Sequence, residues 1–114
     1  MSEQERSLSQ RSLLLRKQEE ATRFVDLLRQ YKPVLQERYK VRSLGIFGSY
    51  VRSEQKKGSD LDILVEFDEV PSFIQFLQLE HYLSDLLGVS VDLVMKDALK
   101  PTIGKRILSE VVPV

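Results

Sequence analysis

The 114-residue chain has no cysteine. That excludes disulfides, thiolate zinc sites and cysteine nucleophiles, and it fits a reducing compartment. Net charge is missing too, because 17 basic residues balance 17 acidic ones. No whole-molecule positive field exists for nucleic acid, so direct nucleic-acid binding is not expected. No apolar run approaches the roughly 20 residues that cross a bilayer. Residues 1–18 are polar and charged around Leu13-Leu14-Leu15, without the long apolar segment of a signal peptide. A cytoplasmic protein with no membrane contact is expected. Two glycine fingerprints, Gly-x-x-x-x-Gly-Lys-Ser/Thr and Gly-x-Gly-x-x-Gly, are also absent, which disfavours the folds that carry them.

The chain does carry enough apolar residues, 42%, to argue against disorder. Its length suits one domain with one modest core. Any module that holds an acceptor is then expected on another chain.

Apolar periodicity predicts a helix over residues 12–31, where Phe24, Leu27, Leu28 and Tyr31 share a face. Residues 1–10 are expected to be frayed or loosely helical. Pro33 should interrupt the helix and open a second short one over 34–39. Strands are expected at 41–47, 60–67 and 89–95, with a short helix over 50–55 between the first two. Residues 60–67 are almost continuously apolar between acids, as in a central strand. A helix over 72–87 starts at a Ser72/Gln75 capping box and stops at Gly88. Phe73, Phe76, Leu77, Leu79, Leu83, Leu86 and Leu87 are its candidate core residues. A last helix covers 97–110, with Pro101 in its first turn. The fold class is α/β (or α+β), with helices covering a small mixed sheet.

Residues 44–67 carry the chemistry. An apolar strand ends in Gly48-Ser49, and ten residues later come Asp60 and Asp62 at the head of another strand. Positions i and i+2 of a strand share a face, so the two carboxylates project together. Bare, they repel, and a divalent cation resolves that conflict. A solvated acidic turn is the plainer alternative. Asp92 interrupts another good interior strand, and an unpaired buried charge needs a partner. If that strand lies beside 60–67, three carboxylates converge and can hold two Mg²⁺ ions. An exposed position or a salt bridge is the alternative for Asp92. Gly48 lets a ligand approach the backbone, and Ser49 adds a hydroxyl and an amide at a strand-to-helix junction suited to phosphate. Arg52 either reaches that phosphate or pairs with Glu54. Ser59 either supports the metal site or closes a local turn. His81 and the Phe73/Phe76 pair are read as packing or surface residues, and so is Tyr50.

Gly48-Ser49, ten residues, Asp60-Leu61-Asp62 resembles the signature of the DNA polymerase β-like nucleotidyltransferase superfamily. The fuller string Gly-Ser-Tyr-Val-Arg-Ser-Glu…Ser-Asp-Leu-Asp-Ile-Leu-Val is similar to its minimal (MNT-type) branch. Val91-Asp92-Leu93-Val94 stands where that branch carries a third carboxylate, and the tail from Ala98 to Val111 is similar as well. The resemblance covers roughly residues 43–112. It implies a nucleotidyltransferase fold at 41–114 behind an N-terminal helical extension at 1–40. It also implies Mg²⁺-dependent transfer of AMP from ATP. Asp60, Asp62 and Asp92 would be catalytic and metal-binding, and Gly48, Ser49, Arg52 and Ser59 nucleotide-binding. The implied partner is a HEPN-domain ribonuclease toxin, silenced by AMP on a tyrosine hydroxyl. Val51 and Ser53 depart from the Ala and Gly of many relatives. The long N-terminal helix is less typical of the shortest members and suggests a docking surface or a homodimer contact. A binding-only antitoxin and an aminoglycoside-type small-molecule nucleotidyltransferase are the competing readings.

Overall fold

A computed structural model describes residues 3–114, with side chains described from residue 10 onward. The elements run α1 (Glu3–Tyr39), β1 (Val41–Phe47), β2 (Leu61–Phe67), α2 (Phe73–Leu87), β3 (Val91–Met95), a 3₁₀ turn (Lys96–Ala98), α3 (Pro101–Glu110) and β4 (Val112–Pro113). The strands form one mixed sheet in the order β3-β2-β1-β4. β1 is antiparallel to both β2 and β4, whereas β2 and β3 are parallel.

The alternation of β2 sorts the two faces of the sheet. Leu61, Ile63 and Val65 enter the main core. Asp62, Leu64 and Glu66 therefore point to the opposite face. The core lies on the first face, between the sheet and helices α1 and α2. Val41, Leu44 and Ile46 of β1 and Val91 and Leu93 of β3 join it there, with Phe24, Leu28 and Leu35 of α1 and Leu79, Leu83 and Leu87 of α2. The acidic face is left to the site.

α2 begins and ends as its sequence requires. Ser72 accepts from the Gln75 amide, and the Gln75 side chain accepts from the Ser72 amide. Gly88 takes the left-handed conformation at φ 72° and closes the C-terminus. The apolar stripe is narrower than expected, however. Leu79, Leu83 and Leu87 are buried, whereas Phe73 is 76% exposed and Leu77 43% exposed. Phe73 is thus not a core residue. It occupies the first turn of α2, ahead of the first fully buried position at Leu79.

Four further expectations change. α1 runs unbroken through Pro33. An interior proline costs about 3 kcal/mol, and burial of Leu28 before it and Leu35 after it opposes a break. Helix also begins at Glu3, well before the predicted start at residue 12. Of the frayed or loosely helical expectation for residues 1–10, the helical alternative holds from residue 3, with residues 1 and 2 outside the described range. The predicted short helix over 50–55 is a set of turns. Ser53 adopts φ 57°, a left-handed conformation that stops a right-handed helix. The helix predicted for 97–110 divides into the 3₁₀ turn and α3, because Pro101 sits at the start of α3. β4 has only two residues and gave no periodicity to read.

Candidate active site

The site forms where β1 ends, on the sheet face away from α1 and α2. Parallel pairing sets Asp62 of β2 opposite Asp92 of β3, and antiparallel pairing sets Phe47 of β1 opposite Asp62 on the other side. Gly48 follows Phe47 with φ 81°. A Cβ built on Gly48 would run into the Asp62 carboxylate. Glycine is thus required twice, for its backbone angle and for the room that Asp62 takes.

Asp62 is partly buried, and its pKa is raised to about 6. Burial is the largest cause, followed by the carboxylates of Asp92 and Asp60, while Arg52 opposes the shift. Asp62 thus feels both neighbouring carboxylates, one from its own strand's head and one from β3. The interior-charge argument for Asp92 fails, because Asp92 is exposed on an edge strand. It reaches the site through strand register instead.

The donors come from residues 48–52. The Gly48 carbonyl accepts from the Val51 and Arg52 amides at 3.1 and 3.2 Å, and the Ser49 carbonyl accepts from the Glu54 amide at 2.9 Å. This is a tight turn rather than a helix start, so its donors are local amides without a macrodipole behind them. Tyr50 packs behind the turn. Its ring meets Phe24 of α1 edge-on at 5.4 Å, and its hydroxyl donates to the Ser59 carbonyl at 3.4 Å. Tyr50 is buried and is a packing residue. Gln55 fastens the same segment to α1, donating to the Lys17 carbonyl and to Glu20.

Arg52 is held on two sides. Its Nε donates to Glu54 at 3.0 Å, and its Nη1 donates to both oxygens of Glu110 at 3.0 Å. Glu110 Oε1 also accepts from the Gly48 amide at 2.9 Å. Burial alone would raise the Glu110 pKa, but the Gly48 and Arg52 hydrogen bonds outweigh it and lower it. Sequence reasoning missed Glu110. A signal was present, since an acidic residue at the end of a helix opposes the macrodipole and calls for a compensating partner. Of the two roles expected for Ser59, the local turn is the one its hydrogen bond shows. Its hydroxyl accepts from the Lys56 amide at 2.8 Å and closes the turn around Gly58.

Among the described residues, no three His, Cys, Asp or Glu side chains are gathered into a group that could hold a metal ion. The donor set still suits a hard cation, because Asp60, Asp62 and Asp92 offer only carboxylate oxygens. Their mutual repulsion at Asp62 is the charge such an ion would offset.

The sequence profile described as "Nucleotidyltransferase domain" matches residues 28–114. The chain belongs to that family. A protein adenylyltransferase named MntA, from Thermococcus cleftensis, is 56% identical over 86 residues, covering 75% of this chain and 87% of the relative. A solved structure described as a minimal nucleotidyltransferase is 33% identical with a TM-score of 0.65, covering 82% of this chain and 90% of the other. A toxin–antitoxin structure solved with AMP-PNP is 25% identical with a TM-score of 0.61, covering 82% and 70%. The nucleotidyltransferase fold expected from Gly48-Ser49 and Asp60-Leu61-Asp62 is thus the fold of this family.

Proposed function

We propose that this nucleotidyltransferase is an antitoxin that moves AMP from ATP to a tyrosine hydroxyl of a HEPN-type ribonuclease toxin. The observation that carries the chemistry is the Asp62–Asp92 pairing beneath Gly48. It sets carboxylates against a turn able to receive phosphate. The similarity to a protein adenylyltransferase supports a protein acceptor, and the likeness to a toxin–antitoxin structure solved with AMP-PNP supports ATP as donor and a toxin as partner.

In this reading Asp60, Asp62 and Asp92 would hold Mg²⁺, two ions in all, with nucleotide phosphates supplying further oxygen ligands. When bound, the metal offsets charge on the phosphate oxygens and favours in-line displacement at the α-phosphorus. The Ser49 amide and hydroxyl and the Arg52 guanidinium bind the phosphates. Asp92, the most exposed of the facing pair, orients the acceptor hydroxyl and takes its proton. The acceptor oxygen bonds to the α-phosphorus as the bond to the β-phosphate bridging oxygen breaks, and pyrophosphate leaves with those electrons. Positioning and charge supply most of the rate.

The experiment combines this protein, its HEPN-domain toxin, ATP and Mg²⁺, and reads intact mass. The toxin should gain AMP, and Asp60→Ala should abolish the gain. A toxin neutralised without any mass change would leave the binding-only antitoxin as the function. A labelled-ATP panel that transfers to aminoglycosides and not to the toxin would favour the small-molecule enzyme.

A further inference from the structure

Glu110 stands at the last position of α3, 62 residues after Gly48 in the chain, yet its carboxylate makes three contacts at the proposed nucleotide turn. One oxygen accepts from the Gly48 amide and from Arg52 Nη1, and the second also accepts from Arg52 Nη1. The carboxylate is mostly shielded from solvent, at 22% side-chain exposure. Its backbone is fixed as well. The next residue, Val111, donates its amide to Ile107 and wedges its side chain against Gly45 of β1. Val112 and Pro113 then pair with Ile46 and Gly45. A carboxylate mounted on so constrained a backbone is poorly placed to swing away.

Two roles would fit a carboxylate on a phosphate turn. It either mimics the anion and must leave, or it braces the turn and stays. The geometry favours the brace. Gly48 directs its amide to Glu110 and its Cα face to Asp62, so the glycine is pinned between the two acids. The Ser49 amide and hydroxyl make no hydrogen bond to a protein group among the described residues. They are the donors left for phosphate while Glu110 keeps the one from Gly48. Arg52 uses Nε for Glu54 and Nη1 for Glu110, which fixes the plane of the guanidinium and leaves Nη2 for a ligand.

We propose that Glu110 is a positioning residue of this nucleotidyltransferase: it braces Gly48 and orients Arg52 so that the turn meets the nucleotide phosphates beside Asp62. The inference rests on the nucleotide-binding reading above. It adds a residue from the far end of the chain to the site. It also makes α3 and β4 part of the machinery rather than a cover for the sheet.

The test compares wild type, Glu110→Gln and Glu110→Ala by binding of Mg²⁺·AMP-PNP, by kcat and KM for AMP transfer, and by hydrogen exchange at the Gly48 amide. Glu110→Gln keeps an acceptor for both donors, and Glu110→Ala keeps none. Loss of a group that orients a ligating side chain typically costs about tenfold or more. Glu110→Ala, folded at the assay temperature by circular dichroism, should therefore bind the analogue about tenfold more weakly. Its Gly48 amide should exchange faster, while Glu110→Gln recovers most of both. Binding by Glu110→Ala as tight as wild type, or tighter, would overturn the brace. So would a lowered melting temperature with unchanged affinity, since that is a purely structural role. Should Glu110→Ala not fold, Glu110→Gln decides: affinity close to wild type with a protected Gly48 amide supports the brace, and tighter binding overturns it. Wild type that binds no nucleotide would instead refute the functional reading on which the proposal stands.

Discussion

Asp62 and Asp92 face each other across the parallel pairing of β2 and β3, and burial first, then the Asp92 and Asp60 carboxylates, raise the Asp62 pKa to about 6. The folded pKa lies above the ordinary carboxylate value of 3.8. The native state therefore binds the Asp62 proton more tightly than the unfolded chain does. Its contribution to stability is complete below about pH 4 and is lost as pH rises through about 6. The nominal shift is near 3 kcal/mol, but the group is partly exposed and solvent screens it, so about 1 kcal/mol is expected. Asp62→Asn should raise the melting temperature at pH 7 and leave it nearly unchanged at pH 4. Equal effects at both pH values would contradict the charge argument.

The same repulsion predicts a response to ligand. Mg²⁺ together with AMP-PNP should stabilise the wild type at pH 7 by about 2.7 kcal/mol at a hundredfold excess over Kd. Asp60→Ala and Asp62→Asn should lose most of that gain. Thermal melts with and without EDTA measure it, and an equal gain in the variants would place the ligand elsewhere.

Gly48 is the tightest point of the site. Gly48→Ala meets an unfavourable φ of 81° and a clash with the Asp62 carboxylate. The strain is worth about 1–3 kcal/mol. Denaturant unfolding should show that loss, and nucleotide binding should fall with it. Gly58, also at positive φ (86°) but with open space around its would-be Cβ, gives a control. Gly58→Ala should cost stability without a comparable loss of binding.

Ser53 makes the opposite prediction. It occupies a left-handed conformation that costs a residue with a side chain about 1 kcal/mol. Ser53→Gly should relieve part of that cost and raise stability by a few tenths to about 1 kcal/mol, measured by urea unfolding. A destabilised Ser53→Gly would show that the hydroxyl, not the backbone, matters there. The observation also explains why glycine suits this position in a turn that must reverse sharply before Gln55.

The sequence made the sheet legible because each strand had its own signature. Residues 60–67 are almost continuously apolar between their acids, and Leu61, Ile63, Leu64 and Val65 are indeed buried. The α2 caps were legible because Ser72, Gln75 and Gly88 act within a few residues of one another. Four features required tertiary information. Proline at position 33 reads as a break, yet core contacts on both sides keep α1 whole. Phe73 reads as apolar core, but the start of α2 leaves it exposed. Asp92 reads as an interior charge but is exposed, and only the adjacency of β3 to β2, which the sequence left as a condition, brings it beside Asp62. Glu110 was not found at all, because its partners Gly48 and Arg52 are some sixty residues away in the chain and only folding brings them together. Gly48, Asp60 and Asp62 were recognisable because their spacing is itself the geometry.

The most direct test is intact-mass analysis of the proposed partner, a HEPN-domain toxin, after incubation with this protein, ATP and Mg²⁺. The account predicts a toxin carrying added AMP with wild type and an unmodified toxin with Asp62→Asn, whose fold should be at least as stable. Neutralisation of the toxin by wild type with no added mass, under conditions where AMP-PNP binds, would contradict it.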